Sequence, residues 1–132
     1  MKKSKVLKAY LIVSGLLLTF IGGATLAMPV EMKSGAGIDI AGDINTLNDL
    51  RASSTLILAI ALISLIGAFV KRLTFTSSLI VTTLFLALGL GRAISILIDG
   101  MPVDGLVKAT GLEFILGIVG AILFKVYQPK NP

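Results

Sequence analysis

Two ionisable residues interrupt the most apolar parts of the sequence, Arg92 in "LGLGRAISILIDG" and Glu113 in "GLEFILG". A guanidinium and a carboxylate can pair with each other or bind a polar ligand, and the carboxylate can also carry a proton. An isolated charge near the centre of a membrane helix costs on the order of 3 kcal/mol. Each residue therefore needs a partner, and the segments that carry the two residues decide which partner is within reach.

Four long apolar runs make up most of the chain. The 132 residues are 55% hydrophobic and 14% charged, with a mean hydropathy of +0.98. A soluble domain is about 25% charged, and each run reaches the roughly 20 residues that cross the hydrocarbon core of a membrane. The sequence predicts a single all-α domain over 1–132, an integral membrane four-helix bundle. Its helices are expected at about 6–28, 48–70, 73–98 and 106–127, with an outer loop at 29–46.

The basic residues indicate an orientation. Eight of the twelve Lys and Arg residues fall on one side if the runs span in turn, and no Asp or Glu falls there. Because short cytoplasmic loops are rich in Lys and Arg, we expect a bacterial cytoplasmic (inner) membrane protein with both termini cytoplasmic. This distribution suits anionic lipid headgroups and argues against nucleic acid as a partner. The eight residues are Lys2, Lys3, Lys5, Lys8, Lys71, Arg72, Lys125 and Lys130.

The first run also has some features of a signal peptide. It has a basic start and small residues in "ATLAMP" (24–29). However, the apolar stretch from Ala9 to Ala27 is longer than a signal-peptide core. The sequence therefore favours a retained first membrane helix.

Arg92 and Glu113 are predicted to lie at the same depth. Arg92 precedes Asp99 by seven residues and Glu113 follows Leu106 by seven, so each lies about 10 Å below the outer boundary. "DGMPVDG" (99–105) is a tight turn, which makes the third and fourth helices antiparallel neighbours. We therefore expect an Arg92–Glu113 ion pair, with each charge on a stripe of small or polar residues. The stripe on the third helix consists of Gly89, Arg92, Ser95 and Asp99. The stripe on the fourth helix consists of Glu113, Gly117, Gly120 and Ala121.

The expected ion pair has two interpretations. It can simply hold the two helices in register. Alternatively, it can be part of an outward-facing polar pocket for a small anionic or lipid-like ligand. The residues of that pocket would be Arg51, Arg92, Ser95, Asp99 and Glu113. Arg51 can also extend to the membrane interface, and Asp99 also fits an ordinary Asp-Gly turn.

The outer loop, "PVEMKSGAGIDIAGDINT", begins at Pro29, which is expected to end the first helix. The weak alternation of "GIDIAGDI" (37–44) is compatible with a short hairpin, a lid over the bundle or a solvated connector. Thr46 is predicted to cap the second helix, with Asp49 three residues later completing a capping box. In the first helix, small residues recur every four positions and predict close helix packing. They are Gly15, Thr19 and Gly23.

"NDLRAS", "GLGRAISILIDGMP" and the glutamate one to two turns into the fourth helix resemble the domain-of-unknown-function 4345 family of small bacterial membrane proteins, placed near the DoxX-like group. The resemblance covers roughly 5–127. It implies a four-helix bundle and no activity. Members often have a glycine-rich "RG-GG" stretch where this chain has "RASS" (51–54). The most specific piece is Gly91, Arg92, Ser95, Asp99, Gly100 and Pro102.

The composition restricts the function. The chain has no cysteine and no histidine, which excludes disulfides, thiol catalysis and cysteine-ligated metal sites and removes the usual general base. No nucleophile and base form a pair, so an enzyme acting on lipid or quinone is not favoured, and no cofactor or metal is expected.

The sequence predicts a non-enzymatic binding or accessory protein, alone, as a homo-oligomer or with a membrane partner protein. The alternative is a small-molecule or ion transporter or channel that uses Arg92 and Glu113. Four-helix multidrug transporters and fluoride channels have similar lengths. Many of them insert in both orientations and therefore need a weak bias of basic residues between the two sides, whereas this chain has a strong one. An arginine partner would also keep Glu113 ionised, which argues against proton coupling.

Overall fold

Four long helices and one short helix form the structure. The computed structural model describes residues 2–127, with side chains from residue 5 onward. These residues contain no β-strand, and all four long helices are apolar enough to cross a membrane. The chain is therefore an all-α, multi-pass membrane protein, as predicted. The helices are α1 (Lys2–Ala27), α2 (Pro29–Gly35), α3 (Ile44–Phe69), α4 (Thr74–Asp99) and α5 (Asp104–Val126), with a 3-10 turn at Lys71–Leu73.

The segment between α1 and α3 is more ordered than the loop expected at 29–46. Pro29 does follow the end of α1, but it also opens α2, since the first turn of a helix needs no hydrogen bond from its N–H. After α2 the chain turns at Gly37 and Gly42, both with φ of 78°. No strand forms at 37–44, so the hairpin alternative is wrong.

Asp43, not Thr46, caps α3. Its carboxylate accepts hydrogen bonds from the Thr46 hydroxyl at 2.6 Å and from the Thr46 N–H at 3.1 Å. The predicted capping box of Thr46 and Asp49 is wrong because the helix begins at Ile44, before the apolar run starts. Hydrogen bonds from Thr46 stabilise the ionised carboxylate and lower the pKa of Asp43. The bond from the hydroxyl contributes more to this shift than the bond from the N–H.

Glycines bring α1 and α3 together. A Cβ on Gly15 would overlap the Leu65 side chain, and a Cβ on Gly22 would lie 3.0 Å from the carbonyl oxygen of Ser54. Such close approach is how small residues promote packing in lipid. The predicted stripe on the first helix is therefore right at Gly15, whereas Thr19 is exposed.

α4 and α5 form a second close pair. A Cβ on Gly117 would overlap the Leu86 side chain and lie 3.1 Å from its backbone nitrogen. Gly89 of α4 lies against the ring of Phe114, 3.2 Å from where its Cβ would be. The small stripes predicted for these helices therefore face protein at Gly89 and Gly117.

The two pairs are joined to each other in the half of the bundle that contains the start of α1, the Lys71–Leu73 turn and the end of α5. We call this the terminal end, and the opposite end, with α2 and the α4–α5 turn, the loop end. The Tyr10 hydroxyl of α1 donates to the Leu116 carbonyl of α5 at 2.9 Å. The Ser77 hydroxyl of α4 donates to the Ile63 carbonyl of α3, also at 2.9 Å. Interhelical bonds of this kind contribute about 0.6 kcal/mol each in membranes.

Candidate functional site

Arg92 and Glu113 form the predicted ion pair. The Arg92 Nε donates to both carboxylate oxygens of Glu113, at 2.9 and 3.0 Å. The side chains are 37% and 12% exposed respectively. Equal depth on adjacent antiparallel helices predicted this contact, and the prediction is confirmed.

The α4–α5 connection positions the pair. α4 ends at Asp99, where Gly100 adopts a φ of 99° that favours glycine and turns the chain. α5 begins at Asp104 after an extended Val103. One turn from Arg92, the contact between Gly89 and the Phe114 ring keeps the two helices close. Glu113 faces Arg92 across this interface, as their hydrogen bonds show.

The Arg92 guanidinium retains unused hydrogen-bond donors. It has five N–H groups in a fixed planar arrangement, and Glu113 takes only the one on Nε. Within residues 2–127, the terminal nitrogens Nη1 and Nη2 donate to no protein group. The side chain is only partly covered, so four N–H donors are available to a molecule beside it.

A cleft of about 190 Å³ adjoins the pair. It lies between the two helix pairs and takes lining residues from all four long helices. Arg92 and Glu113 are its two charged lining residues, and the other eight are hydrophobic, among them Leu17, Ile57 and Phe85. The cleft therefore has one polar end and apolar walls. Its volume exceeds the roughly 150 Å³ of an engineered apolar cavity that binds benzene.

The other predicted site residues lie elsewhere. The exposed Arg51 donates through Nη1 to the Leu26 carbonyl, near the C-terminal end of α1. A positive charge at that position stabilises the helix. The Ser95 hydroxyl donates to the exposed Asp99 carboxylate at 3.0 Å. The structure thus brings Arg92 to Glu113 and Ser95 to Asp99, and only the first pair lines the cleft.

Sequence reasoning missed the apolar walls and Tyr10. Leucines that face a cleft have the same type and spacing as leucines that face lipid, so no signal distinguishes them. Tyr10 did carry a signal, because a phenol inside an apolar run needs a partner for its hydroxyl. Near it, the buried hydroxyls of Ser14 and Thr82 have no hydrogen-bond partner among the described residues. A Cβ on Gly120 would overlap both the Tyr10 and the Thr82 oxygens.

Metal binding has no evident site in the described part of the chain. Within residues 2–127, no group of three or more His, Cys, Asp or Glu side chains lies close enough to hold a metal ion. The chemistry that this arrangement can supply is hydrogen-bond donation from a charged group at the end of an apolar cleft.

Comparison with known proteins identifies the family. No curated protein and no solved structure matches the chain. The model of the family described as "Domain of unknown function (DUF4345)" matches residues 6–124. The match contains both residues of the ion pair, every lining residue of the cleft, and the "GLGRAISILIDGMP" segment that carried the resemblance. The chain belongs to the domain-of-unknown-function 4345 family.

Proposed function

We propose that this protein is a non-enzymatic membrane binding or accessory protein that holds a small anionic or lipid-like ligand in the cleft. The supporting observation is the cleft itself, in which four unused N–H donors of Arg92 lie at the end of apolar walls. The polar head of the ligand accepts hydrogen bonds from Nη1 and Nη2. Its apolar part lies along Leu17, Ile57 and Phe85.

The polar end of the cleft determines most of the affinity. Lipid chains are as apolar as leucine, so apolar walls inside a membrane give little hydrophobic driving force. A hydrogen bond to a charged donor contributes about 1.5–3 kcal/mol. The ligand is therefore recognised through Arg92, and the walls select for shape.

The proposed location is the cytoplasmic membrane of a bacterium. The described basic side chains of the terminal end are Lys5, Lys8, Lys71, Arg72 and Lys125, and they support a cytoplasmic position for that end. Lys130 and the side chains of Lys2 and Lys3 lie outside the described part of the structure. The cleft then lies in the outer half of the membrane, towards α2 and the α4–α5 turn. The basic end attracts anionic lipid headgroups.

A cleft-filling replacement tests the proposal. Ala109 lines the cleft, so Ala109→Phe is expected to occupy the ligand's space. Ala59 is exposed on α3, and Ala59→Phe is the matched control. Both variants and the wild-type protein are purified in a mild detergent and examined by native mass spectrometry for a retained small molecule.

Wild type and Ala59→Phe are expected to retain the same molecule, and Ala109→Phe to lose it. If wild type retains none, or if Ala109→Phe retains it equally, the binding proposal is wrong. The ion pair would then serve only to hold α4 and α5 in register.

A further inference from the structure

We infer that the ligand is an uncharged, single-chain lipid with a carbonyl-type head, taken up from the bilayer through the gap between α1 and α5. This inference rests on the proposed function and narrows it from anionic or lipid-like ligands to one chemical class. Three features of the cleft support it: its net charge, its volume and the position of its opening.

The cleft has no net charge. Arg92 and Glu113 are the two charged residues that line it, and they neutralise each other across contacts of 2.9 and 3.0 Å. An anionic head on Nη1 and Nη2 would place a second negative charge within several ångströms of the Glu113 carboxylate. That repulsion offsets much of the attraction that the Arg92 charge gives the anion, so the neutral ion pair does not compensate the cost of removing the anionic head from water. A neutral carbonyl oxygen accepts the same hydrogen bonds without this penalty.

The volume admits one chain. A cavity of roughly 150 Å³ holds the six carbons of benzene, so the 190 Å³ of this cleft holds about eight carbon atoms. That space is sufficient for a carbonyl head and the first part of one chain. It is too small for the headgroup and two chains of a phospholipid. The remainder of a longer chain must leave through the opening.

Contacts between elements hold the bundle together towards both of its ends. Towards the loop end, Gly37 lies beside Val103 of the α4–α5 turn, whose side chain would be 3.9 Å from a Cβ at Gly37. In the same segment Ile40 is only 8% exposed, so this segment packs against the bundle at the loop end. Towards the terminal end, the Tyr10–Leu116 hydrogen bond joins α1 to α5.

The opening lies at the side. Leu112 of α5 lines the cleft and is nevertheless 44% exposed, so it forms part of the rim. Leu17 and Ile21 of α1 also line the cleft, and the proposed opening lies between them and Leu112. A gap between two membrane-spanning helices opens onto lipid hydrocarbon, which delivers membrane-dissolved molecules and excludes ions.

Photolabelling in lipid nanodiscs tests this inference. Two probes share one diazirine-bearing hexadecanoyl chain, one as the methyl ester and the other as the free acid at about pH 9, where the carboxyl group is ionised. A third probe, azidobenzoate, is a water-soluble anion. Labelled peptides are mapped by mass spectrometry. In wild type the ester is expected to label the cleft at least about tenfold more than the carboxylate, because only the carboxylate must lose the hydration of a charge. Azidobenzoate is expected to label the cleft least.

Glu113→Gln tests the role of charge. The glutamine still offers an oxygen to the Arg92 Nε but leaves the guanidinium charge uncompensated, so the preference is expected to reverse in favour of the carboxylate. Asp99→Asn removes an exposed carboxylate that is absent from the lining and should leave the wild-type ratio unchanged. If Glu113→Gln does not fold, the ratio of ester to carboxylate labelling in wild type still tests the uncharged head.

The outcomes separate the inference from the proposed function. Labelling of the cleft by none of the three probes would contradict the proposed function. A wild-type preference for the carboxylate, or an unchanged ratio in folded Glu113→Gln, would overturn the uncharged head while leaving ligand binding in place. Equal labelling by azidobenzoate and the ester would overturn uptake from the bilayer.

Discussion

Replacing the two partners of the ion pair separately is expected to have unequal costs. Arg92→Met leaves the Glu113 carboxylate, which is only 12% exposed, without its cation. Removing one partner of a buried pair costs about 3–5 kcal/mol, because the remaining charge stays desolvated. Glu113→Leu leaves Arg92, which is 37% exposed and long enough to move its charge towards water. We therefore expect that replacement to lower the free energy of unfolding by less, about 2 kcal/mol.

The double replacement is the informative variant. Arg92→Met with Glu113→Leu removes both charges and fills the space with apolar groups of similar size. Replacement of a buried ion pair by apolar residues is often neutral or stabilising, so the double variant is expected within about 1 kcal/mol of wild type. If the double variant is as stable as wild type, the coupling energy from the double-mutant cycle is about 5–7 kcal/mol.

A single cysteine can report unfolding, because the natural chain has none. Ala61 is 1% exposed on α3, and Ala61→Cys is a small change in a buried position. Every variant carries this cysteine, and its reaction with a maleimide is followed as the temperature or the fraction of denaturing detergent rises. If the double variant is as unstable as Arg92→Met, or if the two single variants cost the same, the reasoning from burial is wrong.

Three further predictions concern packing, pH and topology. Gly117→Ala should lower the free energy of unfolding by about 1–3 kcal/mol in the same assay, because its Cβ meets the α4 backbone. Gly91→Ala, which meets open space, is the control. The pKa of Asp43 is lowered in the folded state, so its ionised carboxylate stabilises the fold above the usual carboxyl pKa. This contribution is lost as the pH falls through the folded-state pKa. On acidification the thermal midpoint of Asp43→Asn should therefore fall less than that of wild type. In spheroplasts, a cysteine at the exposed Ser34 should react with a membrane-impermeant maleimide. A cysteine at the exposed Thr76 should react only after the cells are permeabilised. The reverse labelling pattern would contradict cytoplasmic termini.

The spanning helices and the ion pair could be predicted because both depend on counting along the chain. A run of about 20 apolar residues specifies a spanning helix. Equal distances from one tight turn specify the relative depth of Arg92 and Glu113. The start of α3 could not be found in this way, because its first turn extends beyond the apolar run. The local signal there was Asp43, three residues before Thr46.

The cleft could not be predicted from periodicity. It depends on how far apart the two helix pairs lie, which is set by tertiary contacts such as Gly15 with Leu65 and Tyr10 with Leu116. Arg51 shows the same limit. Its place in the second turn of α3 suggested either a pocket or the interface, and its hydrogen bond goes to a carbonyl 25 residues away in the sequence.

The division into two helix pairs also has a consequence for biogenesis. Each pair joins long helices that follow one another along the chain, so the contacts within a pair form between segments made in succession. α1 and α3 leave the ribosome first and can pack while α4 and α5 are still being synthesised. Docking of the second pair through Ser77 and Tyr10 is then the late step. Because the cleft takes walls from both pairs, it comes into existence only at that step, inside a bilayer that already contains its proposed ligand.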